Sequence, residues 1–234
     1  MKRYRFSLIV LLCCTCLACN DFLTEYSHDQ AYVQSYSDLD ELIIGSGYMK
    51  CAGTYDYTYY STAKETYYPY VHFMADETEV RNTGTYDYYG ESFLKMFYGF
   101  YTWQKDVDKD HEGTVGWTEN QDWINLYKHI NITNIILSQI DNQTIQTEND
   151  QRNVNRIKGE AHFLRGAYYF VLANLYGKPY SSISAKTDLA VPIKLTENIE
   201  DKVYTRATVE KTYEQVLEDL LTAEKHLKGQ SANR

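Results

Sequence analysis

The densest group of potential cation ligands lies at residues 106–113, where Asp106, Asp108, Asp110, His111 and Glu112 crowd together. Carboxylates on alternate residues are what a calcium loop uses, but an EF-hand also needs glycine at its sixth position and glutamate at its twelfth. Those positions here are His111 and Trp117, so the run reads as a solvated acidic turn and no metal site is assigned. Neither His129 nor His162 has a second histidine four residues on, which removes the zinc-helix pattern. Glu160 and Arg165 are five apart, off the spacing of same-face helical pairs, and Glu160 is assigned to helix packing. There is no glycine-rich phosphate loop and no Gly-x-Ser-x-Gly elbow. The carboxylate pair of a glycosidase is defined by a distance in space, which sequence does not give. No catalytic residue and no cofactor is assigned.

Cys19 is the residue with a definite chemistry. Lys2, Arg3 and Arg5 form a basic start, and residues 6–18 form an apolar run, the two leading parts of an export signal. A membrane-spanning helix needs about 20 apolar residues. This shorter run is followed at once by Asn20 and Asp21, so removal is expected rather than retention. It ends in Leu17-Ala18-Cys19, which resembles a bacterial lipobox, with Cys16 standing where an aliphatic residue is usual. Residues 1–18 are therefore read as a signal peptide and Cys19 as the lipidated N-terminus that anchors the chain to a membrane. The competing reading is an ordinary signal peptide whose removal releases a soluble protein. Of the five cysteines, four are Cys13, Cys14, Cys16 and Cys19, which leaves Cys51 as a single thiol. One thiol builds neither a disulfide framework nor a cysteine metal site.

With 234 residues the chain is long enough for a substantial core. The net charge of −9 loses three cationic residues with the leader and becomes −12, which makes nucleic acid a poor partner. Mean hydropathy is −0.52, consistent with no further membrane span. Tyrosine is the outlier, at 24 against eight Phe and three Trp, with many between Tyr48 and Tyr101. Its flat face and hydrogen-bonding tip suit both sugar stacking and the packing of half-wet cores, and most of these tyrosines are assigned to packing.

The elements that must position such groups divide by texture. Residues 19–116 form a loop-rich, Tyr-rich section with short helical stretches at 37–44 and 90–101, and residues 117–234 are plainly helical. In the first long helix Trp123, Tyr127, Ile130, Asn134 and Leu137 share a stripe, and Asn134 is expected to tie helices by hydrogen bonds. The second carries Ile157, Ala161, Leu164, Tyr168, Val171 and Leu175, and stops at Gly177 with Pro179 close behind, a C-cap pattern. Ala161, Gly166 and Ala167 would admit a close neighbour. The third starts at Thr208 as N-cap and runs through Val209, Tyr213, Val216, Leu220 and Leu227. Glu210 in its first turn and Lys225, His226 and Lys228 at its end match the helix dipole. Residues 178–207 between the last two helices read as an extended stretch.

Taken in order, several motifs resemble the SusD/RagB family of outer-membrane lipoproteins: Cys19-Asn20-Asp21-Phe22-Leu23, then Met74-Ala75-Asp76-Glu77, then the helix from Trp123 with Tyr127, Ile130 and Asn134. The strongest is Ile157-Lys158-Gly159-Glu160-Ala161-His162-Phe163-Leu164-Arg165-Gly166-Ala167-Tyr168-Tyr169-Phe170, with Leu175-Tyr176-Gly177 after it. Gly166 stands where the family usually has Ala. Val191-Pro192, Arg206-Ala207-Thr208-Val209, Tyr213, Asp219-Leu220 and Ala223 complete the match. The resemblance implies a mainly α, tetratricopeptide-like helical scaffold, here in truncated form because family members are at least twice as long. It implies a surface receptor that binds a nutrient, glycan first, and delivers it to a SusC-type TonB-dependent outer-membrane transporter. Asp76, Arg81 and Trp103 lie in the region that supplies ligand contacts in starch-binding members. An oligopeptide receptor of the same family, a non-functional truncated remnant and, last, a glycoside hydrolase are the alternatives.

Overall fold

The computed structural model describes residues 33–49, 74–76, 99–100, 102–105, 121–198 and 200–230. Every described helix falls in one unit, Ser35–Arg234. The helices are α1 (Tyr36–Leu42), running directly into a π-helical turn (Ile43–Gly47), α2 (Gln121–Ile140), α3 (Glu148–Tyr176) and α4 (Val209–Leu227). Among the described residues the only strand-like feature is one isolated antiparallel bridge, Leu189 to Thr208.

α1, α3 and α4 begin where local chemistry supplies acceptors for the free N–H groups of the first turn. Ser35 caps α1 in a capping box with Asp38, and Thr147 caps α3 in another with Asp150. Thr208 caps α4 by accepting from the Lys211 N–H at 3.2 Å, as the sequence predicts. The stretch predicted at 37–44 is helical, but it widens: the Tyr48 N–H reaches back five residues to the Ile43 carbonyl at 3.1 Å. Widening leaves the carbonyls at the end of the turn in need of donors. His129 on α2 donates through Nδ1 to Ser46 O at 2.9 Å, and Tyr168 on α3 donates to Gly47 O at 2.6 Å. Since a carbonyl only accepts, the His129 proton sits on Nδ1.

α3 is the spine, 29 residues and about 43 Å long. One side packs on α2 and α1 through fully buried Ile157, Ala161, Leu126, Ile130, Ile136, Leu39 and Ile43. Burying each of these larger aliphatic side chains contributes roughly 1.5–3 kcal/mol. The predicted α3 stripe is buried from Ile157 to Tyr168, then moves to Leu172 and Ala173, leaving Val171 and Leu175 half-buried. α1 is fastened to α3 by polar contacts as well. Arg156 holds Asp40 with both terminal nitrogens, at 3.0 and 2.8 Å, and holds Glu160 at 3.1 Å, while the Tyr48 hydroxyl donates to Glu160 at 3.1 Å. Glu160 therefore clamps helices together, in line with its assignment to packing.

The other side of α3 takes α4 at close range because glycine opens the way. A Cβ on Gly159 would sit 2.7 Å from Leu227 Cγ, and one on Gly166 would sit 3.2 Å from Asp219 Cβ. Gly166 thus does what the sequence predicts, and Gly159, two turns earlier, does the same more tightly. Gly177 differs from expectation. Its backbone is extended (φ −88°, ψ 168°) rather than left-handed, so conformational freedom is not what requires glycine there. Space is: a Cβ would lie 2.5 Å from the Ala173 carbonyl oxygen and 3.2 Å from Ala190 Cβ.

Residues 178–207 are pinned at their base by Ala190 N–H to Ala207 O (2.8 Å), Ala207 N–H to Val191 O (3.0 Å) and Val209 N–H to Asp188 O (2.8 Å). Arg206 donates to Ala190 O at 2.6 Å and to the Tyr176 carbonyl, supplying a donor at the C-terminal end of α3.

Candidate ligand-binding site

Trp103 has the most unusual backbone of the three candidate contacts. Gly99 and Phe100 are helical, and the chain leaves that helical turn through two hydrogen bonds, Gln104 N–H to Gly99 O at 2.9 Å and Trp103 N–H to Phe100 O at 3.1 Å. This pairing closes a helix through one residue in the left-handed region, a place glycine usually takes. Here the residue is tryptophan, at φ 55°, and it is the one described non-glycine with positive φ. A bulky side chain there costs roughly 1–2 kcal/mol. The indole is 67% exposed, so core packing does not repay that cost, while Phe100 beside it is buried. Trp103 is therefore a surface residue and not part of the core. An exposed, backbone-fixed indole offers a flat apolar face to a ligand.

Asp76 ends the short described segment Met74, Ala75 and Asp76, in a turn, and is exposed. No hydrogen bond joins it to Trp103. Arg81, Cys19, Cys51 and the acidic run at 106–113 lie outside the described residues. Among the described residues no group of three His, Cys, Asp or Glu side chains is placed to hold a metal ion. None of the described helices is long and apolar enough to cross a membrane.

The strongest polar cluster sits where α2, α3 and α4 meet. Arg165 donates to both oxygens of Asp219, at 3.0 and 2.7 Å, and its remaining nitrogen donates to Asn134 Oδ1 at 2.9 Å. Asp219 also accepts from His162 Nδ1 at 2.8 Å and from Gln215 at 3.2 Å. Asn134 turns its amide the other way, to the carbonyls of Lys194 at 3.0 Å and Thr196 at 3.3 Å. Burial would push the Asp219 carboxyl up, but the hydrogen bonds from His162 and Arg165 outweigh it and hold the group below the usual carboxylate range. A His–Asp pair is also half of a general-base apparatus. This carboxylate is 1% exposed and takes four hydrogen bonds, so the cluster fastens helices rather than moving protons.

Nearby aromatic groups serve the same end. Tyr127 donates to Pro192 O at 2.7 Å, and the Tyr169 hydroxyl both donates to Lys194 O and accepts from its N–H at 2.8 Å. Burial pushes the Tyr169 phenol up to about 12 and also raises Tyr127. Trp123 meets Tyr127 at 4.9 Å and Tyr176 edge-on at 5.0 Å between ring centroids.

The family model described as starch-binding and associating with the outer membrane matches residues 64–233, most of the chain. The chain belongs to the SusD-like family. A search of curated proteins finds no match. Solved structures agree on the fold. A SusD-like carbohydrate-binding protein from Bacteroides vulgatus is 20% identical with a TM-score of 0.57, over 86% of this chain and 37% of the other. A SusD superfamily protein from Bacteroides fragilis is 22% identical with a TM-score of 0.54, over 82% and 39%. One from Bacteroides thetaiotaomicron is 23% identical with a TM-score of 0.50, over 82% and 37%. The SusD-like chain therefore spans less than two-fifths of the structures it matches.

Within the SusD-like scaffold, the motif residues prove to be mainly structural. Ile157, Gly159, Ala161, Leu164, Arg165, Gly166, Tyr168 and Tyr169 are all buried, and Asn134 ties helices as the sequence predicts. Sequence reasoning missed the Arg165–Asp219 pair. The signal was an aspartate in the buried stripe of α4, in register with Val216 and Ala223.

Proposed function

We propose that this SusD-like chain is a nutrient-binding lipoprotein, anchored through Cys19 to the outer membrane and facing the cell exterior, that captures a glycan and passes it to a SusC-type TonB-dependent transporter. Trp103 stacks on a sugar ring, and Asp76 and Arg81 supply hydrogen bonds to its hydroxyls. The observation that carries the reading is the exposed indole held at a left-handed helix end, a strained arrangement of the kind that collects at binding sites. The family description as starch-binding supports glycan over peptide. The chain binds and does not turn over its ligand.

Calorimetry with size-fractionated malto-oligosaccharides and with oligopeptides tests the reading. The expected result is saturable heat with oligosaccharide, weakened at least about tenfold in Trp103→Ala. Heat with peptides alone sinks the glycan reading. Hydrolysis of the oligosaccharide, abolished by a single carboxylate substitution, would make the chain an enzyme instead. Cys19→Ala should move the protein out of the membrane fraction, and retention there would overturn the anchor.

A further inference from the structure

We draw no further inference here: the strongest candidate, the basic side-chain cluster of Lys158 and His162 on α3 with Lys225 and His226 on α4 at the end of their seam, rests only on the proton affinity of His226, lowered by burial and by neighbouring Lys158, while Lys158 is already paired with Asp141 at 2.6 Å and nothing in the structure shows what the cluster would hold or what covers it.

Discussion

Replacing Asp219 with alanine removes the acceptor that holds Arg165 at the junction of three helices. Arg165 is 8% exposed at its side chain and Asp219 1%, so the cation left behind cannot turn to water. Two of its three hydrogen bonds vanish, and only the one to Asn134 at 2.9 Å remains. Breaking a buried pair by deleting one partner costs about 3–5 kcal/mol. At a urea m value of about 2 kcal/mol/M, a loss near 4 kcal/mol lowers the unfolding midpoint by about 2 M, readable by far-ultraviolet circular dichroism. Arg165→Met should cost less, because the carboxylate keeps His162 at 2.8 Å and Gln215 at 3.2 Å. Combining Arg165→Met with Asp219→Leu should recover most of the loss, since an apolar replacement of a buried pair is often neutral or stabilising. What persists is about 1 kcal/mol for Asn134 Oδ1, which loses its donor, and a smaller cost at His162 and Gln215, which lose their acceptor but are only part-buried. A midpoint shift below about 0.5 M for Asp219→Ala, or strict additivity in the double variant, would refute the claim that this pair fastens the helices.

Three other outcomes are expected. Gly159→Ala should destabilise by about 1–3 kcal/mol, because its Cβ meets Leu227 at 2.7 Å, whereas Gly166→Ala, with 3.2 Å available, should lie near neutral once helix propensity is counted; paired urea melts decide it. Trp103→Gly should raise stability by about 1 kcal/mol in the same assay while weakening oligosaccharide binding, and a loss of stability would show that the indole packs after all. Melting temperature should fall with acid in two stages. Burial lowers the His129 pKa, so the fold favours the neutral ring, and that stability erodes as pH drops below about 6.5 toward the folded value. The depressed Asp219 contributes stability that is present above about 3.9 and is lost as pH falls through its folded value. Asp219→Asn should shrink the second stage and leave the first, the remainder coming from Asp150, Asp188 and Glu200, whose carboxyls are also held low by hydrogen bonds, and an unchanged acid limb would contradict the assignment.

Much of the helical part is legible in the sequence because local signals and tertiary packing agree there. Thr208 precedes an apolar stripe and caps it, and Asn134 interrupts an apolar stripe and turns out to bridge to residues 194 and 196. Pairings across long separations are not legible. Arg165 and Asp219 lie 54 residues apart, and only the crossing of α3 with α4 joins them. Gly177 shows another limit: glycine before a proline reads as a left-handed cap, yet here it answers to crowding by Ala173 and Ala190. The π-helical turn has no period of its own in five residues and depends on His129 and Tyr168 arriving from other helices. At the candidate site, Trp103 is singled out in the sequence only by the family resemblance, through the region in which it lies. Its left-handed backbone depends on how the preceding helical turn closes, which composition does not encode.

The stretch after Val191 is gripped in a particular way. Tyr127, Asn134 and Tyr169 reach out from α2 and α3 and take hold of the carbonyls of Pro192, Lys194 and Thr196, with the Lys194 N–H as well. What the helices recognise is the peptide unit, which every residue type carries, and the side chains of Leu195 and Thr196 are left facing solvent. The scaffold therefore fixes the course of this segment without dictating its spelling. Residues 194–196 form a position where related chains can diverge, display new surface chemistry and still fold on the same two helices.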